Sequence, residues 1–197
     1  MSIKILATGD FQLDKRFGTL GNHAKNHREQ LMKTFEEVIT TNAAGHDLVL
    51  IAGDLFDRMA TPVRIIEQAA DILSRCPSTC VVLPGNHDPV ISGIPKALIE
   101  ALRNRNATHV HVILKREPLK IDGLNVTLYP APLFRKDDIS DLYGWMPPRE
   151  ETDGIRVALM HGALDTLPNG QIPDDLAERM DLDIVVCGDQ HGPSLGN

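Results

Sequence analysis

Thr79-Cys80-Val81-Val82-Leu83-Pro84-Gly85-Asn86-His87-Asp88 runs from a short apolar stretch straight into a glycine and three polar side chains. Such a run, bounded by turn formers, reads as a strand buried on both faces. Upstream, Pro62 opens a helical pattern in which Val63, Ile66, Ala69, Ala70 and Leu73 share one face, and Pro77 lies just past its end. Another buried strand, Leu48 to Ala52, precedes that helix and ends in Gly53-Asp54-Leu55-Phe56-Asp57-Arg58. A helix from His27 to Asn42, with Leu31, Phe35, Val38 and Ile39 at helical spacing and Gly45 as its stop, separates it from a first strand. That first strand, Ile3 to Ala7, ends in Gly9-Asp10-Phe11-Gln12. Strand, helix, strand, helix, strand implies parallel pairing through right-handed crossovers.

Downstream, Pro95 to Arg105 reads as a third helix, after which the pattern changes. From Val110 to Tyr129 the sequence reads as short strands with an Asp122-Gly123 turn, and Val126 to Tyr129, Arg156 to Met160 and Ile184 to Cys187 are apolar strand runs. The switch predicts a second, partly antiparallel sheet packed on the first. The expected fold is therefore α/β, a two-sheet β-sandwich flanked by helices, formed by residues 1–197 as one domain. Asp137 to Asp153, which contains Trp145-Met146-Pro147-Pro148, is expected to be a long surface loop.

Composition narrows the function. The chain has 197 residues, 42% hydrophobic and 24% charged, the range of an ordinary globular domain rather than of disorder, collagen or coiled coil. Its 20 Lys and Arg against 27 Asp and Glu give a net charge of −7, so a basic surface is not its main means of holding nucleic acid. No apolar run is long enough to span a membrane, and Met1-Ser2-Ile3-Lys4-Ile5 lacks the apolar core of a secretory signal. Cys76, Cys80 and Cys187 form no disulfide framework, which makes a reducing cytoplasm the expected location. Cys76 and Cys80 lack two further ligands for a structural zinc site and read as buried free thiols.

In open α/β sheets ligands bind beyond the carboxyl ends of the strands. The three N-terminal strands end in Asp10, Asp54 and Asn86-His87-Asp88, and two later ones end in His161-Gly162 and Gly188-Asp189-Gln190-His191. Any one of these could be a turn whose side chain caps backbone amides. Five strand ends delivering Asp, Asn and His to one rim fit a pair of divalent metals that activate water and neutralise phosphoryl oxygens. There is no nucleophile elbow for acyl transfer and no glycine-rich loop for nucleoside triphosphates.

These motifs, in this order, resemble the calcineurin-like metallophosphoesterases. Asp10-x-x-Leu13-Asp14, Ala52-Gly53-Asp54-Leu55-Phe56-Asp57 and Pro84-Gly85-Asn86-His87-Asp88 are most similar to the SbcD-type DNA double-strand-break repair exonucleases. The resemblance covers Ile3 to Pro193. It implies that Asp54 bridges two metals, one also held by Asp10, Gln12 and His191, the other by Asn86, His161 and Asp189. It implies that His87 meets the scissile phosphate and protonates or stabilises the leaving oxygen, with Asp88 orienting its ring. The family has histidine where this chain has Gln12 and Asp189. An oxygen-richer ligand set favours manganese, or magnesium, over zinc, with the ion at Gln12 the more weakly held.

Around the site, Arg58 either meets a phosphate or pairs with Asp57 or Asp14. Asp57 either caps the turn before the Pro62 helix or supports the site. Lys15, Arg16, Lys25 and Arg28 either guide a phosphodiester backbone or form a solvated loop. The leading expectation is a nuclease acting on DNA ends. The others are a phosphoesterase for a small molecule or phosphoprotein, and a binding subunit with a decayed metal site. The resemblance also implies a homodimer and an SbcC-type ATPase partner. Because six residues follow His191, where the resembling family continues with strands of the second sheet, a cap and a partner-binding segment, the chain is expected to be the catalytic core alone.

Overall fold

The computed structural model describes residues 2–165 and 171–189. Strands β1 (Ile5–Thr8), β2 (Leu48–Ile51), β3 (Thr79–Val82) and β4 (Val110–Val112) form one sheet in that order, parallel throughout. Strands β5 (Leu119–Lys120), β6 (Val126–Ala131), β7 (Ile155–His161) and β8 (Ile184–Gly188) form the second; β5 runs antiparallel to β6, and β6, β7 and β8 are parallel. Helix α1 (Ala24–Glu36) continues into a wider π-helical stretch to Asn42, followed in the chain by α2 (Val63–Ser74), α3 (Ile94–Arg103) and the short α4 (Leu176–Arg179). This is the two-sheet architecture expected, with element ends displaced by a few residues.

The alternation of side chains along a strand explains why the central runs are apolar on both faces. Along β2, Val49 and Ile51 face the helices, where they pack with Phe35, Ile39, Leu73 and Leu98. Leu48 and Leu50 face the second sheet and join Val81, Leu128, Val157 and Leu159. All four β2 residues are fully buried. Along β7 the same alternation sends Val157 and Leu159 between the sheets and Ala158 and Met160 to the outer face of the second sheet.

That outer face has no long helix to cover it among the described residues, since α4 spans only four residues. The segment expected to be a surface loop does part of this work. Leu142 and Met146 are buried against Tyr129, Ala158 and Met160, so the stretch is irregular but packed. Arg156, fully buried on β7, ties it down: Nη1 donates to Asp153 Oδ2 at 2.8 Å, Nη2 donates to the Pro147 carbonyl at 2.8 Å, and the guanidinium lies 4.4 Å over the Tyr129 ring. Cys76 and Cys80 are buried free thiols as expected, whereas Cys187 is exposed on β8, the outermost strand of its sheet among the described residues. Removing one partner of a buried ion pair leaves the other uncompensated, so Arg156→Ala should lower unfolding stability by about 3–5 kcal/mol. Urea titration followed by circular dichroism measures this; a loss within about 1 kcal/mol, the size of an exposed pair, would refute the anchoring role assigned to Arg156.

Candidate metal centre

The parallel register brings the ends of β1, β2 and β3 to one rim, and β6, β7 and β8 deliver theirs beside them. Beyond the strands, the β1 and β2 loops continue side by side. The Asp10 amide donates to the Gly53 carbonyl at 3.1 Å, Gln12 to Asp54 at 2.9 Å and Leu13 to Leu55 at 2.9 Å. This path winds through left-handed backbone at Asp10, Gln12, Asp14 and Asp54, with φ between 47° and 69°. Side chains rarely adopt that conformation, and where they do it tends to mark a functional constraint.

Asp54, 2% exposed, stands at the centre. Its Oδ1 accepts the His87 amide at 2.9 Å and lies 3.5 Å from His161 Nε2, while Oδ2 lies 3.9 Å from His87 Nε2. His161 is buried, and its Nδ1 sits 2.8 Å from the Ala52 carbonyl. A carbonyl can only accept, so Nδ1 carries a hydrogen and Nε2 is turned to the cluster. There it lies 3.3 Å from Asn86 Oδ1 and 3.7 Å from Asp189 Oδ1. Asp10 accepts the Asp189 amide at 3.1 Å, which fixes the β8 loop against the β1 loop. One ligand atom each from Asp10, Asp54 and His161 lies within 4.8 Å of the other two.

The protein makes room for these groups by omitting side chains. A Cβ on Gly53, where φ is +91°, would stand 2.2 Å from His161 Nδ1. A Cβ on Gly85 would stand 2.2 Å from Asp54 Oδ1. The glycines of the Gly-Asp and Gly-Asn-His-Asp motifs are thus walls of the site as well as turn residues.

A family profile for calcineurin-like phosphoesterases matches residues 3–193. The chain belongs to that family. It is also similar to the DNA double-strand break repair protein Mre11 of Aeropyrum pernix, 26% identical over 140 residues, which is 71% of this chain and 30% of that protein. The chain therefore spans about a third of the length of this relative. Two solved structures share the fold: one superposes with a TM-score of 0.62 at 13% identity over 100% of this chain and 88% of its own. The other, TT1561 of Thermus thermophilus, gives 0.55 at 15% identity over 94% and 81%.

The donor set of this family member suits a divalent ion. Two ligands bound at about 2.1 Å to one ion and separated by a right or tetrahedral angle are roughly 3.0–3.4 Å apart, close to the 3.3 and 3.5 Å from His161 Nε2 to the oxygens of Asn86 and Asp54; Asp189 Oδ1 is 3.7 Å from that nitrogen, and the carboxylate mutually close to both Asp54 and His161 is Asp10. The bond from Nδ1 to Ala52 is the kind of support that orients a ligating histidine. The other half of the site differs. Gln12 is buried, but its amide oxygen accepts a hydrogen bond from Lys15 Nζ, so an ion beside Gln12 would share that oxygen with an ammonium. His191 lies outside the described residues.

Several expectations are resolved by contacts. Asp88 does not orient the His87 ring: its Oδ1 accepts the Gly85 amide at 2.8 Å and its Oδ2 the Phe56 amide at 2.9 Å, stitching the β3 loop to the β2 loop. Burial pushes its carboxyl up to about 6 in spite of those two donors. The ring is held by the Asp57 carbonyl, 2.6 Å from His87 Nδ1. Asp57 therefore serves the site through its backbone, and its side chain does not cap α2, whose first turn lacks a side-chain cap. Arg58 pairs with Asp14, its Nε donating at 3.0 Å. Arg16 is exposed and apart from the cluster, and its carbonyl accepts from Arg28.

Burial alone would raise the Asp54 carboxyl, but the hydrogen bond and charge of His161 and the His87 amide outweigh it and hold it below the usual range. Burial alone would lower the His161 imidazole, but Asp54, the Ala52 carbonyl and Asp10 raise it to about 9. At neutral pH the metal-free ring therefore carries a proton on Nε2 that an incoming ion must displace. Divalent-metal affinity should rise about tenfold per pH unit below pH 9, with about one proton released per ion at pH 7. Calorimetry in buffers of different ionisation enthalpy reads the proton count, and a buffer-independent enthalpy would contradict it. Gly85→Ala should weaken divalent-metal binding by about 10–100-fold through displacement of Asp54. The same calorimetry tests this, and unchanged affinity would remove Gly85 from the walls of the site.

Proposed function

We propose that this chain is a manganese-dependent phosphodiesterase that hydrolyses DNA at or near ends. The observation that carries the reading is His87. Its ring is pinned through Nδ1 to a backbone carbonyl, its Nε2 lies 3.9 Å from the buried Asp54 carboxylate, and 36% of its side chain remains open to solvent. A metal-binding scaffold has no need of an exposed, oriented imidazole at the margin of its carboxylates, whereas phosphoester cleavage needs a proton donor there. The similarity to a DNA repair protein supports DNA as the substrate.

Asp54, Asn86, His161 and Asp189 would hold one ion, and Asp10, Gln12, Asp54 and His191 a weaker second. Bound divalent ions supply Lewis acidity for the phosphoryl oxygens and lower the pKa of a water. The chain's own groups do the rest. Asp54, kept ionised, anchors the rim, with its Oδ2 3.9 Å from His87 Nε2. His87 Nε2 gives its proton to the leaving oxygen while Nδ1 keeps its hydrogen bond to Asp57. Asp88 acts at one remove, holding the Gly85 and Phe56 amides so that the loops bearing Asn86 and Asp54 stay in register. By the resemblance to the SbcD-type exonucleases the protein would act as a homodimer with an SbcC-type ATPase.

The test is incubation with manganese and linear duplex DNA, single-stranded DNA or a bis-aryl phosphodiester, alongside His87→Ala. Both DNA forms should be cut, and the variant should lose about 10²–10⁴-fold in kcat for DNA. Turnover of only the small diester would make the protein a small-molecule phosphodiesterase. No turnover with metal bound would make it a binding subunit.

A further inference from the structure

Beside the metal centre lies a cleft that the chemistry above does not use. The chain leaves His87 through Asp88 and Pro89 and reaches Val90 and Ile91, which pair with the segment that follows β6: the Val90 amide donates to the Leu133 carbonyl at 3.0 Å and Ile91 to Phe134 at 3.0 Å. Because β6 is parallel to β7, Phe134 emerges on the same rim as His161. Val90, Ile91, Gly93, Lys96, Phe134 and Arg135 enclose a cleft of about 360 Å³. Its apolar floor is open to solvent, with Ile91 71% and Phe134 37% exposed.

The charge of this cleft runs against that of the chain. In a protein of net charge −7 its lining has two cations and no carboxylate, and among the described residues neither Lys96 nor Arg135 is ion-paired. The nearby Asp138 is already engaged by the Phe134 amide at 2.9 Å, by Ser140 and by Arg116 at 3.7 Å. Arg116 also lies 5.0 Å over one face of the Phe134 ring, which holds the ring in place. An aromatic platform flanked by free cations is the arrangement that binds single-stranded nucleic acid, bases stacking on the ring and phosphates meeting the charges. A protein-binding patch would be expected to be poor in lysine. The volume falls in the range of small-ligand clefts, roughly 300–1,000 Å³, and suits a nucleoside better than a helix.

We infer that this cleft seats unpaired nucleotides of the DNA strand being cut, a base stacking on Phe134 and backbone phosphates meeting Lys96 and Arg135. This rests on the nuclease reading above and adds to it a preference for frayed or single-stranded ends. Ile91 is four residues from His87, at most about 14 Å along an extended chain. At about 3.4 Å per stacked nucleotide the Ile91 end of the cleft lies within about four nucleotides of His87.

The test uses internally labelled dT12, manganese and the chain carrying His87→Ala to prevent digestion, with binding followed by fluorescence anisotropy and folding by circular dichroism. Phe134→Ala should weaken binding about tenfold, within the roughly 5–150-fold that loss of one base–aromatic stack brings, and Phe134→Trp should retain it. The weakening should vanish on dT12 whose terminal nucleotides are abasic. Lys96→Gln with Arg135→Gln should flatten the dependence of log Kd on log salt by about 1.4 for two lost phosphate contacts. Binding indifferent to Phe134, or weakened equally for normal and abasic strands, overturns the inference. A Phe134→Ala effect on sedimentation but not on DNA binding also overturns it and assigns the patch to protein contact. The two readings fail separately: a chain that binds dT12 through Phe134 but cuts no DNA refutes the nuclease alone, whereas one that cuts DNA with no role for Phe134 refutes the cleft alone.

Discussion

The hydrogen bond between His161 Nδ1 and the Ala52 carbonyl, 2.8 Å long, joins the last residue of β7 in one sheet to the end of β2 in the other. Most of what holds the two sheets together is apolar contact among Leu50, Val81, Leu128 and Leu159, which is non-directional and does not fix where the sheet ends stand relative to each other. The directional bond at the rim supplies that constraint and also fixes which ring nitrogen faces Asp54. It demands space: a Cβ on Gly188 would lie 1.9 Å from the Ala52 oxygen, and one on Gly53 would strike the ring itself. Sheet packing and metal-site geometry are thus set by the same few atoms.

Much of this was legible in the sequence because strand identity and site chemistry sit in the same short segments. Unbroken apolar runs such as Leu48–Ile51 and Thr79–Val82, each followed by Gly and a carboxylate or amide, announce both a doubly buried parallel strand and a ligand at its carboxyl end. What stayed hidden depends on distance across loops. The groups that orient His161 and His87 are the backbone carbonyls of Ala52 and Asp57, and a carbonyl leaves no trace in residue type. Asp88 adjoins His87 in sequence, yet its carboxylate is consumed by amides of two loops. Arg156 read as one more residue of a strand, although its buried guanidinium holds down the segment 147–153.

The two halves of the site differ for a reason that residue type alone suggests only in part. Replacing an imidazole by the Gln12 amide substitutes a neutral oxygen for a basic nitrogen, which weakens the ligand. The Lys15 ammonium on that same oxygen adds a cation next to where an ion would sit, and like charges at such range repel. On the other side Asp189 brings a carboxylate toward His161, which strengthens attraction there. On the two-ion reading proposed above, both residues push in one direction, toward one tightly and one weakly held ion.

Lys15 also bears on how a chain of net charge −7 can handle a polyanion. Affinity for phosphate depends on the local potential at the rim rather than on the total, and fields between charges more than about 10 Å apart are largely screened at ordinary salt. The rim concentrates its positive charge in fixed places: Lys15 at the β1 loop, and Lys96 with Arg135 beyond His87. Other acidic residues, among them Asp71, Asp175, Asp181 and Asp183, are paired with arginines away from this rim. A phosphodiester approaching the strand ends therefore meets cations on both flanks of the carboxylate centre, and the acidic total and a nucleic-acid substrate are compatible.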